Sequence, residues 1–258
     1  MADRFLCEVL GNEEIAEGIF AVSVHSEGLA STAMPGQFLH IKCGGERLLR
    51  RPLGISGARG NTLDFVFEVK GGGTRWLSGA RPGQELDILG PLGNGFAFPK
   101  GRIIVVGGGL GCPPMLFAAT AKSGVTAILG FREKNRVILL KEFSTVCEKV
   151  YLTTDDGSAG MHGQVTGPLR ELLIGGGFDA VLACGQLAMQ RAVADLCKQF
   201  DVECQVSLEQ RMGCGVGACL VCACATVSNG VEQMSRVCVD GPVFNAREVV
   251  WGEMGDKR

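Results

Sequence analysis

Arg211-Met-Gly-Cys214-Gly-Val-Gly-Ala-Cys219-Leu-Val-Cys222 places three cysteines in a C-x4-C-x2-C spacing, and Cys238 stands 16 positions beyond the last of them. Four thiolates at this spacing hold a two-iron, two-sulfur (2Fe–2S) cluster. The intervening residues suit that chemistry. A cluster with excess negative charge needs backbone N–H donors close by, and Gly213, Gly215, Gly217 and Ala218 let the main chain wrap within reach. A structural zinc site is the competing reading. Zinc sites pair two short cysteine knuckles, whereas here three ligands share one glycine-rich loop and one stands alone. The expected ligands are therefore Cys214, Cys219, Cys222 and Cys238. Cys224 falls in a strand-like stretch and reads as a packed thiol.

Upstream of Gln210 the pattern changes to alternating strands and helices. Ile103–Val106 is a continuous apolar strand that runs into Gly107-Gly-Gly-Leu-Gly111 and then a helical stretch, Met115–Ala121. Further apolar runs at Val125–Leu129, Val150–Thr153, Ala180–Ala183 and Glu203–Leu208 complete a parallel α/β sheet. Gly107, Gly109 and Gly111 at a strand-to-helix turn can cradle a pyrophosphate, with the helix N-terminus adding partial positive charge. A turn that only tightens the strand–helix connection fits the same residues.

The first hundred residues read as short strands, Phe38–Lys42, Asp64–Val69 and Glu85–Leu89. Turns at Pro35–Gly36, Arg59-Gly-Asn61 and Arg81-Pro-Gly83 punctuate them. That spacing indicates an antiparallel barrel or sandwich. Within it, Arg50-Arg-Pro-Leu-Gly-Ile-Ser56 and Lys70-Gly-Gly-Gly-Thr74 combine an arginine able to clamp a pyrophosphate with a glycine turn. A basic surface strand and an ordinary turn remain the alternative.

With 258 residues, two or three modules are expected. A net charge of −2 gives no basic footprint for nucleic acid or an anionic membrane. No apolar stretch approaches the roughly 20 residues of a bilayer span. Met1–Glu8 has acidic residues and no apolar core, so no signal peptide is expected and the setting is expected to be cytoplasmic. Twelve cysteines in a chain of this size, without an export signal, point to metal chemistry rather than a disulfide framework.

In this order the pieces resemble the ferredoxin–NADP reductase superfamily, and within it the family of electron-transfer subunits of NAD-dependent dihydroorotate dehydrogenase. The resemblance rests on Arg51-Pro-Leu, Gly73-Thr-Arg-Trp-Leu77, Leu89-Gly-Pro-Leu-Gly-Asn-Gly-Phe96, Thr153-Thr-Asp-Asp-Gly-Ser158, the Arg211–Cys219 loop and Val237-Cys-Val-Asp-Gly-Pro-Val-Phe244. It covers essentially the whole chain. The fold it implies is multidomain: an FAD-binding antiparallel β-barrel (1–99), an NAD-binding parallel α/β domain (100–208) and a small C-terminal 2Fe–2S domain (209–258). It implies FAD held by Arg51, Pro52, Leu53, Gly54, Val66, Phe67, Glu68, Gly73 and Thr74, with NAD docking on Gly107, Gly109 and Gly111. Two departures stand out: Gly54 replaces a usual Ser or Thr, and Cys184-Gly-Gln186 replaces Cys-Gly-Pro.

The implied activity is that of an oxidoreductase subunit, with no side-chain acid or base essential to it. Electrons from dihydroorotate, oxidised at an FMN-containing catalytic subunit, are expected to pass through the cluster and FAD to NAD+ in pyrimidine biosynthesis. A heterotetramer of two copies of each subunit is expected. Once three modules are counted, no stretch of about 250 residues remains for a substrate barrel, so a partner is required. An NAD(P)H-linked reductase subunit of a hydrogenase or ferredoxin-coupled complex is the rival. Lys134 and Arg132 read as a solvated charge run, Trp76 and Phe244 as packing residues, and His25, His40 and His162 as surface or satisfied core histidines.

Overall fold

The computed structural model describes residues 3–45 and 48–252; residues 1–2 and 253–258, the outer ends of the first and last expected domains, lie outside it. The barrel is built on period-two alternation, which turns every second side chain inward. Its strands are β1 (Asp3–Ala16), β2 (Ile19–His25), β3 (Phe38–Ile41), β4 (Arg51–Arg59), β5 (Thr62–Glu68) and β6 (Glu85–Leu92). They close in the antiparallel order β1-β2-β5-β4-β3-β6 around Leu39, Ile41, Ile55, Leu63, Phe65 and Leu86. Helix α1 (Glu27–Thr32) starts at Ser26, whose hydroxyl accepts the Leu29 N–H, and drops Leu29 into this core. Helix α2 (Gly72–Ser78) follows β5.

Three of the strands are those expected from sequence. Strands β1 and β2 were not expected, and the reason is visible in their pairing. Register shifts between Val9 and Gly11 and between Glu14 and Ala16 break the alternation that would have marked β1.

The second layer holds β7 (Ile103–Gly108), β8 (Thr126–Phe131), β9 (Lys149–Thr154), β10 (Met161–His162), β11 (Ala180–Cys184) and β12 (Glu203–Ser207). Helices α3 (Cys112–Thr120), α4 (Leu140–Val146), α5 (Thr166–Gly175) and α6 (Leu187–Gln199) connect them. The strands run parallel, each expected apolar run lying in one of them. The order is β10-β9-β8-β7-β11-β12, so it reverses direction between β7 and β11. Such a switch point opens a crevice at the carboxyl ends of the strands.

The C-terminal segment forms a hairpin of β13 (Ala223–Ser228) and β14 (Val231–Arg236). Its next strand, β15 (Val243–Asn245), leaves the hairpin and pairs antiparallel with β12 as the edge of the nucleotide sheet. Cys222, Cys224 and Cys238 accordingly share one apolar core with Ile104, Val106 and Val206 of that sheet. The barrel is tied to both. Gln205 exchanges two hydrogen bonds with the Ala97 backbone, of 2.9 and 2.6 Å. Asn94 donates three times: its N–H to Gly241 O, and its side chain to Val239 O and Asp240 O. Among the described residues no helix is long and apolar enough to cross a membrane.

Asn94→Ala removes the two side-chain bonds and should ease local opening of the hairpin by about 1–2 kcal/mol. Hydrogen exchange of the β13 and β14 amides would read this; unchanged protection would show that the tether carries no load.

Candidate functional site

The cysteine loop is shaped by glycines in the left-handed region, Gly215 at φ 73° and Gly217 at φ 82°. Wrapped this way, the Cys214 sulfur accepts N–H groups from Val216 (3.4 Å), Ala218 (3.3 Å) and Cys219 (3.4 Å), and the Cys219 sulfur accepts the Cys214 N–H at 3.4 Å. Burial pushes the Cys214 thiol up, but the N–H groups outweigh it and bring its pKa down to about 7. A Cβ on Gly213 would stand 3.0 Å from the Cys219 sulfur, so a side chain there would press on that thiol.

Cys222 and Cys238 form a second pair beneath the first. Burial, followed by the neighbouring Cys222 thiol, pushes Cys238 up to about 12. The Val237 N–H, donated to Cys222 O at 3.0 Å, holds the two segments together. Two thiol pairs suit two irons with two protein ligands each. Cys224 lies buried in β13 opposite Ser235, with burial raising its thiol to about 11, in keeping with a packed residue. The outer rim of the loop is apolar, with Val216, Leu220 and Val221 exposed.

A cavity of 460 Å³ opens between barrel and sheet, and all nine residues expected at FAD line it: Arg51 through Gly54, Val66 through Glu68, Gly73 and Thr74. Arg51 folds over the α2 turn so closely that a Cβ on Gly73 would lie 2.5 Å from its Nε. Its Nη1 donates to Leu49 O and Arg50 O. The Thr74 hydroxyl is committed locally, accepting the Lys70 and Gly71 N–H groups at 2.9 and 3.2 Å. Phe67 turns its ring inward, stacked on Phe20 with centroids 5.7 Å apart, and so offers the cavity chiefly backbone. At Gly54 a Cβ would meet the Pro114 ring at 2.7 Å; the ring of α3 fills the space beside the missing side chain. The Cys184 thiol also lines this cavity, raised to about 12 by burial and then by Glu209.

A second cavity of 880 Å³ occupies the crevice at the switch point. Gly109 and Gly111 line it, together with Gly108. Gly107 is buried behind the turn, where a Cβ would lie 2.8 Å from the Cys112 Cα, so its smallness serves strand–helix packing. Gly111 passes so close to the Cys184 carbonyl that no side chain fits. Arg132 lines the cavity with Glu133, while the Lys134 N–H is taken by the Ser158 hydroxyl at 2.8 Å.

The two cavities meet. Glu68, Lys70, Leu110 and Glu209 line both. Glu68 does more there than contribute a wall, because Arg136 of the nucleotide domain and Lys70, at 3.3 Å, both ion-pair with it. Burial raises its pKa, but these two cations prevail and hold it below the usual carboxylate range. Glu209 was not anticipated from sequence. It is open to solvent through the cavities yet enclosed by protein on most sides; that enclosure raises its pKa, with Lys70 opposing. An acid directly after a parallel strand, β12, was the signal available. His40 was expected to be a surface or satisfied core histidine. It is fully buried, its pKa lowered to about 4 by burial and then by Arg50; the backbone groups of Cys214 and Arg50 act on the ring as hydrogen-bonding groups, but neither ring nitrogen completes a bond of normal geometry.

The loop geometry separates the five clustered cysteines experimentally. Cys238→Ser should remove or destabilise the iron centre, whereas Cys224→Ser should retain it, as iron per chain and the visible spectrum would report. Loss of iron on Cys224→Ser alone would overturn the ligand set.

Residues 209–250 match the family of the iron-sulfur cluster binding domain of dihydroorotate dehydrogenase B. Over 249 residues, 96% of this chain and 99% of the relative, the chain is 37% identical to the dihydroorotate dehydrogenase B (NAD+) electron transfer subunit of Caldanaerobacter subterraneus subsp. tengcongensis. The protein of the same name from a Geobacillus species is 41% identical, with 94% of this chain and 96% of the relative covered. Among solved structures, a chain from work on flavin-based electron bifurcation by the NADH-dependent reduced ferredoxin–NADP oxidoreductase superposes with a TM-score of 0.87 at 34% identity, covering 97% of this chain and 91% of that one. The likeness runs over nearly the full length of this chain and of these relatives, and the chain belongs to the family of dihydroorotate dehydrogenase B (NAD+) electron transfer subunits.

Proposed function

We propose that this chain carries electrons between a partner flavoprotein and NAD, in the oxidation of dihydroorotate to orotate during pyrimidine biosynthesis. FAD belongs in the 460 Å³ cavity, NAD in the switch-point cavity, and the 2Fe–2S cluster on Cys214, Cys219, Cys222 and Cys238. The observation that carries this reading is the continuity of the three places. The two cavities share Glu68, Lys70, Leu110 and Glu209, and Met212, two residues before Cys214, lines the first cavity.

A flavin accepts a hydride's two electrons and releases them singly, which a nicotinamide and a 2Fe–2S cluster cannot do for each other. The chain's own residues bind, orient and insulate. Arg51 offers a guanidinium suited to a pyrophosphate, and the first turn of α2 offers backbone N–H groups. The Gly108–Gly111 turn brings backbone to within reach of a second nucleotide, at the place where a helix N-terminus adds positive charge. Three backbone N–H groups on the Cys214 sulfur stabilise negative charge at the cluster end. No side chain is required to transfer a proton to substrate, in keeping with a subunit whose substrate chemistry lies in a partner.

That partner is proposed to be an FMN-containing dihydroorotate dehydrogenase catalytic subunit, two copies with two of this chain. The apolar rim of Val216, Leu220 and Val221 beside the thiols supports a docking face at the cluster. The likeness to a chain of the NADH-dependent reduced ferredoxin–NADP oxidoreductase supports a second reading, a subunit of a ferredoxin-coupled complex.

Isolated chain should contain FAD and about two irons, as four thiolate ligands to a 2Fe–2S cluster require. Capture from the native host, followed by assay, distinguishes the readings. Dihydroorotate-dependent reduction of NAD+ by the captured complex is the expected result. A complex that holds an FMN subunit yet gives no such reduction, but exchanges electrons between NADH and ferredoxin, would replace the first reading by the second.

A further inference from the structure

Strand β3 carries one polar side chain among apolar ones. Phe38, Leu39 and Ile41 are buried, and His40 between them is 0% exposed. Imidazole always keeps at least one N–H. Neither Nδ1 nor Nε2 completes a hydrogen bond of normal geometry, and a buried polar group so poorly served is costly. A group retained at that cost calls for an explanation.

What the ring faces supplies one. Its Nδ1 lies 2.5 Å from the position a Cβ would take on Gly215, and its Cε1 lies 3.1 Å from it. The backbone of Cys214, and after it that of Arg50, acts on the ring as a hydrogen-bonding group, in a geometry short of a regular bond. Gly215 sits at φ 73°, so two separate constraints, backbone conformation and the imidazole, exclude a side chain at that point. On its own sheet His40 stands opposite Pro52 in the β3–β4 register, and Pro52 lines the 460 Å³ cavity. One residue of β3 therefore touches the loop of the first cysteine ligand while its strand neighbour forms the wall of the flavin cavity.

We propose that His40 is a positioning residue for electron transfer between FAD and the cluster: it seats the Cys214–Gly215 segment against the flavin strand and so fixes the separation and orientation of the two centres. This rests on the reading of the cavity and thiols given above. A hydride brings two electrons together and the cluster takes one, so electrons must cross this seam one at a time. Their rate falls steeply with distance, and the seam is held by a ring on one side and a bare peptide on the other.

The test uses the holoprotein with FAD and cluster in place. His40→Phe keeps the volume and removes the nitrogens; His40→Gln keeps an N–H donor. Stopped-flow mixing with NADH resolves flavin reduction from cluster reduction, and electron paramagnetic resonance of the reduced cluster reports its geometry and protein contacts. In His40→Phe, cluster reduction should slow roughly tenfold or more, since a displacement of about 1 Å can have such an effect. The resonance should shift, flavin reduction by NADH should keep its rate, and His40→Gln should recover part of both changes. Loss of iron from His40→Phe with FAD retained, and retention of iron in His40→Gln, is the same result in stronger form. Native resonance and native transfer in both variants overturn the proposal. So does equal slowing of both steps, which marks a general structural role, and so does loss of iron from both variants. Absence of FAD or iron from the unaltered chain would instead overturn the functional reading, so the two failures are distinct.

Discussion

Electrons pass between carriers only where the carriers come close, and in this chain closeness is achieved at seams that have no side chains. Gly54 lets the Pro114 ring of α3 lie against the flavin strand. Gly111 lets the nucleotide turn rest on the Cys184 carbonyl, and Gly215 lets the cysteine loop rest on His40. Gly93 does the same between the barrel's last strand and Pro242. The first joins the barrel to the parallel sheet's layer, the second lies within that layer, and the last two join the barrel to the C-terminal segment. A single Cβ at any of them would have to push two elements apart. Interiors packed at crystal-like density yield little to such a push, so the spacing of the proposed redox sites is set by the backbone itself.

Charge is arranged with equal economy where the cavities meet. Glu68 stands on the barrel, Arg136 on the nucleotide domain, and the ion pair between them crosses the cleft. Lys70 leans on Glu68 at 3.3 Å and also opposes the raised pKa of Glu209. The junction thus holds two acids and two bases rather than a field of one sign. At the other end of the path the loop does the reverse. Backbone N–H groups converge on the Cys214 sulfur, and the second thiol pair is sunk into the apolar core beneath it. One end is an open cleft of mixed charge, and the other a loop whose sulfur is surrounded by N–H donors.

The C-terminal segment is less separate than its composition implies. Strand β15 extends the nucleotide sheet, and Cys222 and Cys238 share a core with β7 and β12. Asn94 and Gln205 then pin the barrel to the same region. The three modules close around one seam, and the cysteine loop sits where they meet.

The sequence by itself determined the parallel sheet and the glycine turn after β7, and it proposed the cysteine ligand set, because each is written over a few consecutive residues. Ligand spacing on one loop is held by covalent chain length, and a buried parallel strand declares itself as an unbroken apolar run. It did not determine β1, whose bulges erase the alternation, nor β15, three residues whose partner lies in another module. Nor did it separate Gly107, which packs on Cys112, from Gly108, which lines the cavity. Glu209 and His40 were equally silent. Their chemistry comes from what folds against them: two cavities in one case, Gly215 of the cysteine loop in the other. Such contacts join residues far apart in the chain, and only the tertiary structure brings them together.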